Sequence, residues 1–272
     1  MSVKIIAVDM DGTFLDNNSE YDRARFREQY IEMKKMGIHF VVASGNQYYQ
    51  LASFFPEIRD EIAFVAENGA LVIDAGTQVF HGELESQQVT NINNILENYG
   101  GIDFVVCGLR SAWVKKSTPR SFLDIMRKYY HRLQLVDTYD QIDDVIFKYA
   151  LSLDDAAIPA LYGSLSTSLH GTVKPVTSGH GFMDLIIPGV HKASGIQRLM
   201  NRWKITAEEI AAFGDSGNDI EMLSLATYSF SMENASDSVK NVSVFNAGKN
   251  TENGVLDVID RILLRQEPFA KN

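Results

Sequence analysis

The chain has a single cysteine, Cys107, among 272 residues, so it can form no internal disulfide and has no second thiol for a thiolate metal site. A reducing, cytoplasmic setting is the expectation, with Cys107 read as a small buried apolar residue. Positive charge is also in short supply. The 25 Lys and Arg residues stand against 35 Asp and Glu, a formal net charge of -10. That balance disfavours nucleic acid or an anionic membrane surface as the main partner, while leaving room for a local cationic pocket. No uncharged apolar run approaches the roughly 18–20 residues of a membrane span. At the N-terminus, Lys4 precedes only Ile5, Ile6, Ala7 and Val8 before Asp9, too little apolar length for a signal peptide. Internal repeats and low-complexity tracts are missing too, and no obligate protein partner is expected.

What is present suffices for a large core: 45% of the residues are hydrophobic, and the length suits one large or two medium domains. Short apolar runs at Ile5–Val8, 40–43 and Ala63–Ala66 read as strands buried on both faces. Between them lie a helical stretch ended by Gly37 and a second, over 47–55, stopped by Pro56. This alternation predicts a parallel sheet with right-handed crossovers. After Gly69, residues 71–73 and 78–80 flank Ala75 and Gly76 as a hairpin. The order of elements then changes over residues 83–185, where Thr118 and Pro119 are expected to cap and begin a helix, and strands are expected near Val105, Leu135, 146–151 and 182–187. From Lys192–Trp203 the alternation resumes, with a capping box in Thr206 and Glu209, a strand over 210–213, and further helix or strand candidates at Ile220–Leu225, Tyr228–Met232, 242–245 and 255–264. The expected architecture is α/β: residues 1–82 and 186–272 form a parallel-sheet core, and residues 83–185 form an inserted α+β domain.

Asp9 and Asp11 lie two apart at the carboxyl end of the first strand, where strand geometry sends both side chains to one side, and Gly12 permits a tight turn. Other polar clusters follow apolar strands in the same way: Ser44 with Gly45, residues 67–69, and Gly214-Asp215-Ser216-Gly217-Asn218-Asp219. Open α/β sheets place their ligand sites beyond the carboxyl ends of strands. Alone, each segment reads equally as an Asp/Gly turn or a helix cap. Their joint placement sets them apart. If Asp9, Asp11, Asp215 and Asp219 share a pocket, each like-charged pair about 5 Å apart costs roughly 3 kcal/mol at an effective dielectric near 20, so a cation is required. Oxygen ligands without a His or Cys cluster select a hard ion such as Mg²⁺, which favours substrate phosphate oxygens as further ligands. Lys192, opening a helix, can supply a second positive charge, and Ser44 can donate to the same phosphoryl oxygens. His180, between Gly179 and Gly181, is either an exposed loop histidine or a substrate contact from the inserted domain. Tyr129, Tyr130 and Trp203 are read as packing residues.

Asp9-Met10-Asp11-Gly12-Thr13, Ser44, Lys192 and the run from Gly214 to Leu223 together resemble the motifs of the haloacid dehalogenase superfamily, over the whole chain. The insertion after Glu67-Asn68-Gly69 resembles the α+β cap, of the C2B type, found in Cof-type phosphatases, and within that group a bacterial sugar phosphatase. The resemblance implies a Rossmann-like core. It implies Asp9 as nucleophile, Asp11 as general acid and base, and Ser44 and Lys192 as holders of the phosphoryl group, with Gly12, Gly45 and Asn218 also at the phosphate. It further implies Mg²⁺ bound by Asp9, the Asp11 backbone carbonyl and Asp215, with Asn218 and Asp219 in support. One position departs from the pattern: relatives often carry Gly-Arg after the Ser or Thr, and here Gly45 is followed by Asn46. The expected reaction is Mg²⁺-dependent hydrolysis of small phosphorylated metabolites, sugar phosphates foremost, through a phosphoaspartyl intermediate. A closing cap would exclude water and large substrates. A phosphomutase using the same chemistry is the nearest alternative, and a phospho-accepting signalling receiver is an alternative of another class.

Overall fold

In the computed structural model, which describes residues 2–99, 101–152, 158–179 and 181–270, the chain builds two sheets. The first uses β1 (Ile5–Val8), β2 (His39–Ala43), β3 (Ala63–Ala66), β4 (Leu71–Asp74) and β5 (Thr77–His81), then, after the second sheet has been formed, β12 (Ile210–Gly214), β13 (Tyr228–Met232) and β14 (Phe245–Ala247). Its order is β14-β13-β12-β1-β2-β3-β4-β5. The pairings from β14 to β3 are parallel, and β3-β4-β5 are antiparallel. Every residue of β1, β3 and β12 is buried, as helix-covered parallel strands require. The covering helices are α1 (Arg23–Met36), α2 (Tyr48–Ser53), α6 (Lys192–Trp203), α7 (Ile220–Leu225), α8 (Asp237–Val242) and α9 (Gly254–Leu263).

The second sheet contains β6 (Asp103–Gly108), β7 (Ala112–Lys115), β8 (Leu133–Val136), β9 (Ile146–Ser152), β10 (Lys174–Gly179) and β11 (Phe182–Ile186), ordered β10-β11-β9-β6-β7-β8. It is antiparallel except for β7 beside β8. With it come α3 (Ser86–Asn98), α4 (Arg120–Tyr129) and α5 (Ile158–Ser168). One apolar cluster joins this sheet to residues of α3 and α5, and another joins it to α4 and to Ala70 and Val190 of the first layer. Among the described residues, no helix is long and apolar enough to cross a membrane.

One local expectation needs correction. The helix expected to start at Pro119 under a Thr118 cap starts at Arg120, because Pro119 keeps an extended ψ of 139° and no side chain caps the turn. The segment 242–245, a candidate helix or strand, divides between the two: Val242 closes α8, and pairing of β14 with β13 begins at Phe245. The Thr206 and Glu209 capping box forms, around a single short turn.

For the site, the decisive feature is where the sheet order reverses. From β1 the chain builds outward through β2 and β3 on one side and β12 to β14 on the other. The carboxyl end of β1 is therefore the crevice that such sheets leave open for ligands. Behind it, Phe14 packs against Phe26 and Phe40 with ring centroids 5.2 and 5.6 Å apart, anchoring the loop that follows Asp9.

Candidate active site

Asp9 leaves β1 as a residue 6% exposed. The Lys192 ammonium donates to Asp9 Oδ1 at 2.6 Å and to Asp219 Oδ1 at 2.7 Å. Lys192 is the first residue of α6, beyond an N-cap in which His191 Nδ1 accepts from the Ser194 amide. The other oxygen of Asp219 accepts the amides of Asp215 and Ser216 at 3.1 and 3.0 Å, so both its oxygens are engaged. Asp215 accepts from the Thr13 and Ser216 hydroxyls at 2.9 and 3.0 Å. Gly12 is obligatory here: its φ is 78°, and a Cβ would lie 2.7 Å from Asp215 Oδ2.

Oxygens of Asp9, Asp215 and Asp219 lie within 4.8 Å of one another. Burial pushes the Asp9 carboxyl well above its ordinary 3.8; Lys192 opposes the rise, while the charges of Asp219 and Asp215 add to it. Asp215 is raised by burial and then by Asp219. Burial acts to lower the Lys192 ammonium, but Asp219 and Asp9 outweigh it and hold the group above its usual range. One lysine thus faces three carboxylates, and the excess anionic charge fits a hard cation. Asp215 and Asp219 each have both oxygens hydrogen-bonded, whereas Asp9 Oδ2 has no partner among the described residues.

Asp11 is half-buried, and its Oδ2 accepts from Asn46 Nδ2 at 2.6 Å. Ser44 Oγ accepts the Asn46 amide at 3.1 Å, which leaves its hydroxyl proton free to donate elsewhere. Asn218 Nδ2 donates to Asn68 Oδ1 at 3.0 Å, and Asn68 Nδ2 donates to Asp184 Oδ2 at 2.6 Å. Asp9, Asp11, Ser44, Asn46, Asp184 and Asn218 border a cavity of about 340 Å³ whose lining also includes Gly12, Gly45, Tyr129, Lys148 and Phe182. Lys192, Asp215 and Asp219 stand behind this lining. His180 lies outside the described residues.

Several participants carry no motif. Lys148, on β9, is 1% exposed; its ammonium donates to the Gly45 carbonyl at 2.6 Å and lies 2.7 Å from Glu67 Oε2 and 3.5 Å from Asp184 Oδ1. A charge inside the apolar run Ile146–Ser152, and another in Phe182–Ile186, are the signals in the sequence that could have found Lys148 and Asp184. Glu67, Asn68 and Gly69 hold three successive left-handed φ values of 52°, 55° and 91°, a bend that delivers Asn68 to Asp184. Trp203 packs as expected, stacked on His39 at 3.9 Å, while Tyr130, though buried, also borders the cavity. Tyr129 does not only pack: it borders the cavity, where burial and then the charge of Asp11 raise its phenol.

Residues 6–259 match the family of haloacid dehalogenase-like hydrolases. The chain is 48% identical over 269 residues to the 5-amino-6-(5-phospho-D-ribitylamino)uracil phosphatase YbjI of Escherichia coli strain K12, covering 99% of both chains. Among solved structures, SMU.1108c of Streptococcus mutans UA159 superposes with a TM-score of 0.93 at 34% identity, over 97% of this chain and 100% of that one. The subclass IIB sugar phosphatase BT4131 shares the fold, with a TM-score of 0.80 at 18% identity over 95% of this chain and 98% of that one.

Proposed function

Because this chain belongs to the haloacid dehalogenase-like hydrolase family and is a phosphatase, we propose that it cleaves small phosphate monoesters with Asp9 as the nucleophile. The observation that carries this reading is the Asp9 carboxylate on the cavity wall, with one oxygen held by Lys192 at 2.6 Å. An Asp9 oxygen attacks phosphorus as the bond to the leaving alkoxide breaks, and Asp11 gives that alkoxide its proton. In the second half, Asp11 takes a proton from water, the water oxygen bonds to phosphorus, and the aspartyl phosphate bond breaks to restore Asp9. Lys192 spends two of its three donors on Asp9 and Asp219, which leaves one for a phosphoryl oxygen. The Ser44 hydroxyl supplies another donor. Asn46 fixes Asp11 Oδ2 and so orients the acid.

The donor set suits Mg²⁺, which Asp9, Asp215 and the Asp11 carbonyl would hold, with Asn218 and Asp219 in support. Bound there, it neutralises phosphoryl charge and offsets the repulsion between Asp9 and Asp215. The segment 83–185 serves as the cap over this site. For the substrate, the sequence pattern points to a sugar phosphate, and the relative at 48% identity acts on a ribitylaminouracil phosphate. Common to both is a phosphate ester on a polyhydroxylated carbon chain, and that is the class we assign.

The test is phosphate release from a panel of such esters, with and without Mg²⁺, by wild type, Asp9→Asn and Asp11→Asn. Asp9→Asn is expected to lose about 10⁴-fold or more in kcat, and omission of Mg²⁺ to bring the wild type to background. Full turnover by Asp9→Asn would falsify the nucleophile assignment. Isomerised hexose phosphate without phosphate release would make the enzyme a mutase.

A further inference from the structure

The cavity has two chemically different ends. Around the carboxyl end of β1 its lining is polar, from Asp9, Asp11, Ser44, Gly45, Asn46 and Asn218. The apolar lining comes from the second layer: Met126 and Tyr129 on α4, Tyr130 just after it, Ala150 on β9 and Phe182 on β11, beside Lys148 and Asp184 of the same strands, whose charges are engaged by Glu67, the Gly45 carbonyl, Asn68 and each other. Tyr129 and Phe182 meet edge to face, with ring centroids 5.6 Å apart and planes at 66°. Both are half-buried, so neither ring is consumed by the core behind it.

A phosphate on a polyol chain finds its hydrogen-bond partners at the polar end and has no use for two aromatic rings. At about 340 Å³ the cavity is in the range of small-molecule sites and has room beyond a phosphate group. Planar unsaturated rings bind well against aromatic side chains, through offset-stacked or edge-to-face contact. We propose that Tyr129 and Phe182 form a subsite for a planar heteroaromatic ring on the leaving alcohol, so that the enzyme selects esters in which a polyol chain links the phosphate to a ring. The inference rests on the phosphatase reading and sharpens it by assigning the two ends of one substrate to the two layers of the protein.

The experiment compares kcat/KM for phosphate release from 5-amino-6-(5-phospho-D-ribitylamino)uracil and from D-ribitol 5-phosphate, which has the same chain without the ring. Wild type, Tyr129→Phe, Tyr129→Leu and Phe182→Leu are measured, with thermal midpoints to report folding. Wild type is expected to prefer the ring-bearing ester by about tenfold or more. Tyr129→Leu and Phe182→Leu should each lose about tenfold on that ester, mainly through KM, while falling less than about threefold on the ribitol ester. Tyr129→Phe, which keeps the ring, should stay within about threefold of wild type on both. Parallel losses on both esters, or a wild type that hydrolyses both equally well, overturns the subsite. So does a wild type that cleaves 4-nitrophenyl phosphate but neither polyol ester. A wild type that cleaves no phosphate ester at all overturns the phosphatase reading itself.

Discussion

Lys192 and Lys148 are each 1% exposed and each stand between two carboxylates, yet they belong to different regions and serve different ends. Lys192 opens a helix of the first layer and reaches Asp9 and Asp219, both at the ends of strands in that layer. Lys148 lies inside a strand of the second layer; it meets Asp184 beside it and crosses to Glu67 and the Gly45 carbonyl of the first. Burial acts to lower both ammonium groups, and the neighbouring carboxylates outweigh it in both. The physics is shared; the difference lies in what the partner carboxylates have free. Asp9, a partner of Lys192, borders the cavity with an oxygen to spare; Asp184, a partner of Lys148, borders it too, but its two oxygens are taken by Lys148 and Asn68. Lys148 instead ties the two layers together beside the loop that carries Ser44. Under the proposed mechanism, buried ion pairing serves reactivity at one place and docking at the other.

The largest test of that contrast is Lys192→Met against Lys148→Met. Each removes the cation from a buried pair of carboxylates, and each is expected to destabilise the fold by about 3 kcal/mol, read from urea midpoints. Lys192→Met should also lower kcat by about 10² to 10³-fold, whereas Lys148→Met should act mainly on KM. Equal losses of kcat would erase the distinction between the two sites.

A smaller effect concerns pH. Asp9 and Asp215 are raised above 3.8 by burial, so as pH climbs the unfolded chain ionises first and the folded protein binds more protons across that window. Metal-free stability is therefore expected to fall as pH rises from about 4 through the raised values. The two lysines, raised above 10.5, contribute no slope there, because their stabilisation is fully present below that value and is lost only as pH passes the folded one. Mg²⁺ requires the ionised carboxylates, so its addition should raise the thermal midpoint more at about pH 8 than at about pH 5. An increment independent of pH would remove these carboxylates from the metal site.

The smallest expected change is at Asn46. Asn46→Ala frees Asp11 Oδ2 and should lower kcat/KM on an alkyl phosphate by about tenfold. On 4-nitrophenyl phosphate, whose leaving group needs little protonation, the loss should nearly vanish. A uniform loss on both substrates would mark Asn46 as merely structural.

The contrast between the two lysines also separates what was legible in the sequence from what was not. Asp9, Asp11, Gly12 and the run from Gly214 to Asp219 were legible because each set lies within one strand and its turn, where spacing alone decides which side chains converge. The strands Ile5–Val8 and Ala63–Ala66 were legible because double-sided burial writes itself as an uninterrupted apolar run. Tyr129 was not. On a helix, an aromatic side chain facing a cavity and one facing a core leave the same trace.

By itself, the sequence determined the alternating α/β plan and the acidic strand ends, because these follow from local periodicity and from the sign of nearby charges. Only the tertiary structure decided that Asn68 would meet Asp184 across 116 residues, that Asn46 would hold Asp11, and that two rings of the second layer would form the apolar end of the cavity. Such contacts depend on how two separately built layers come together, and no spacing along the chain encodes that distance.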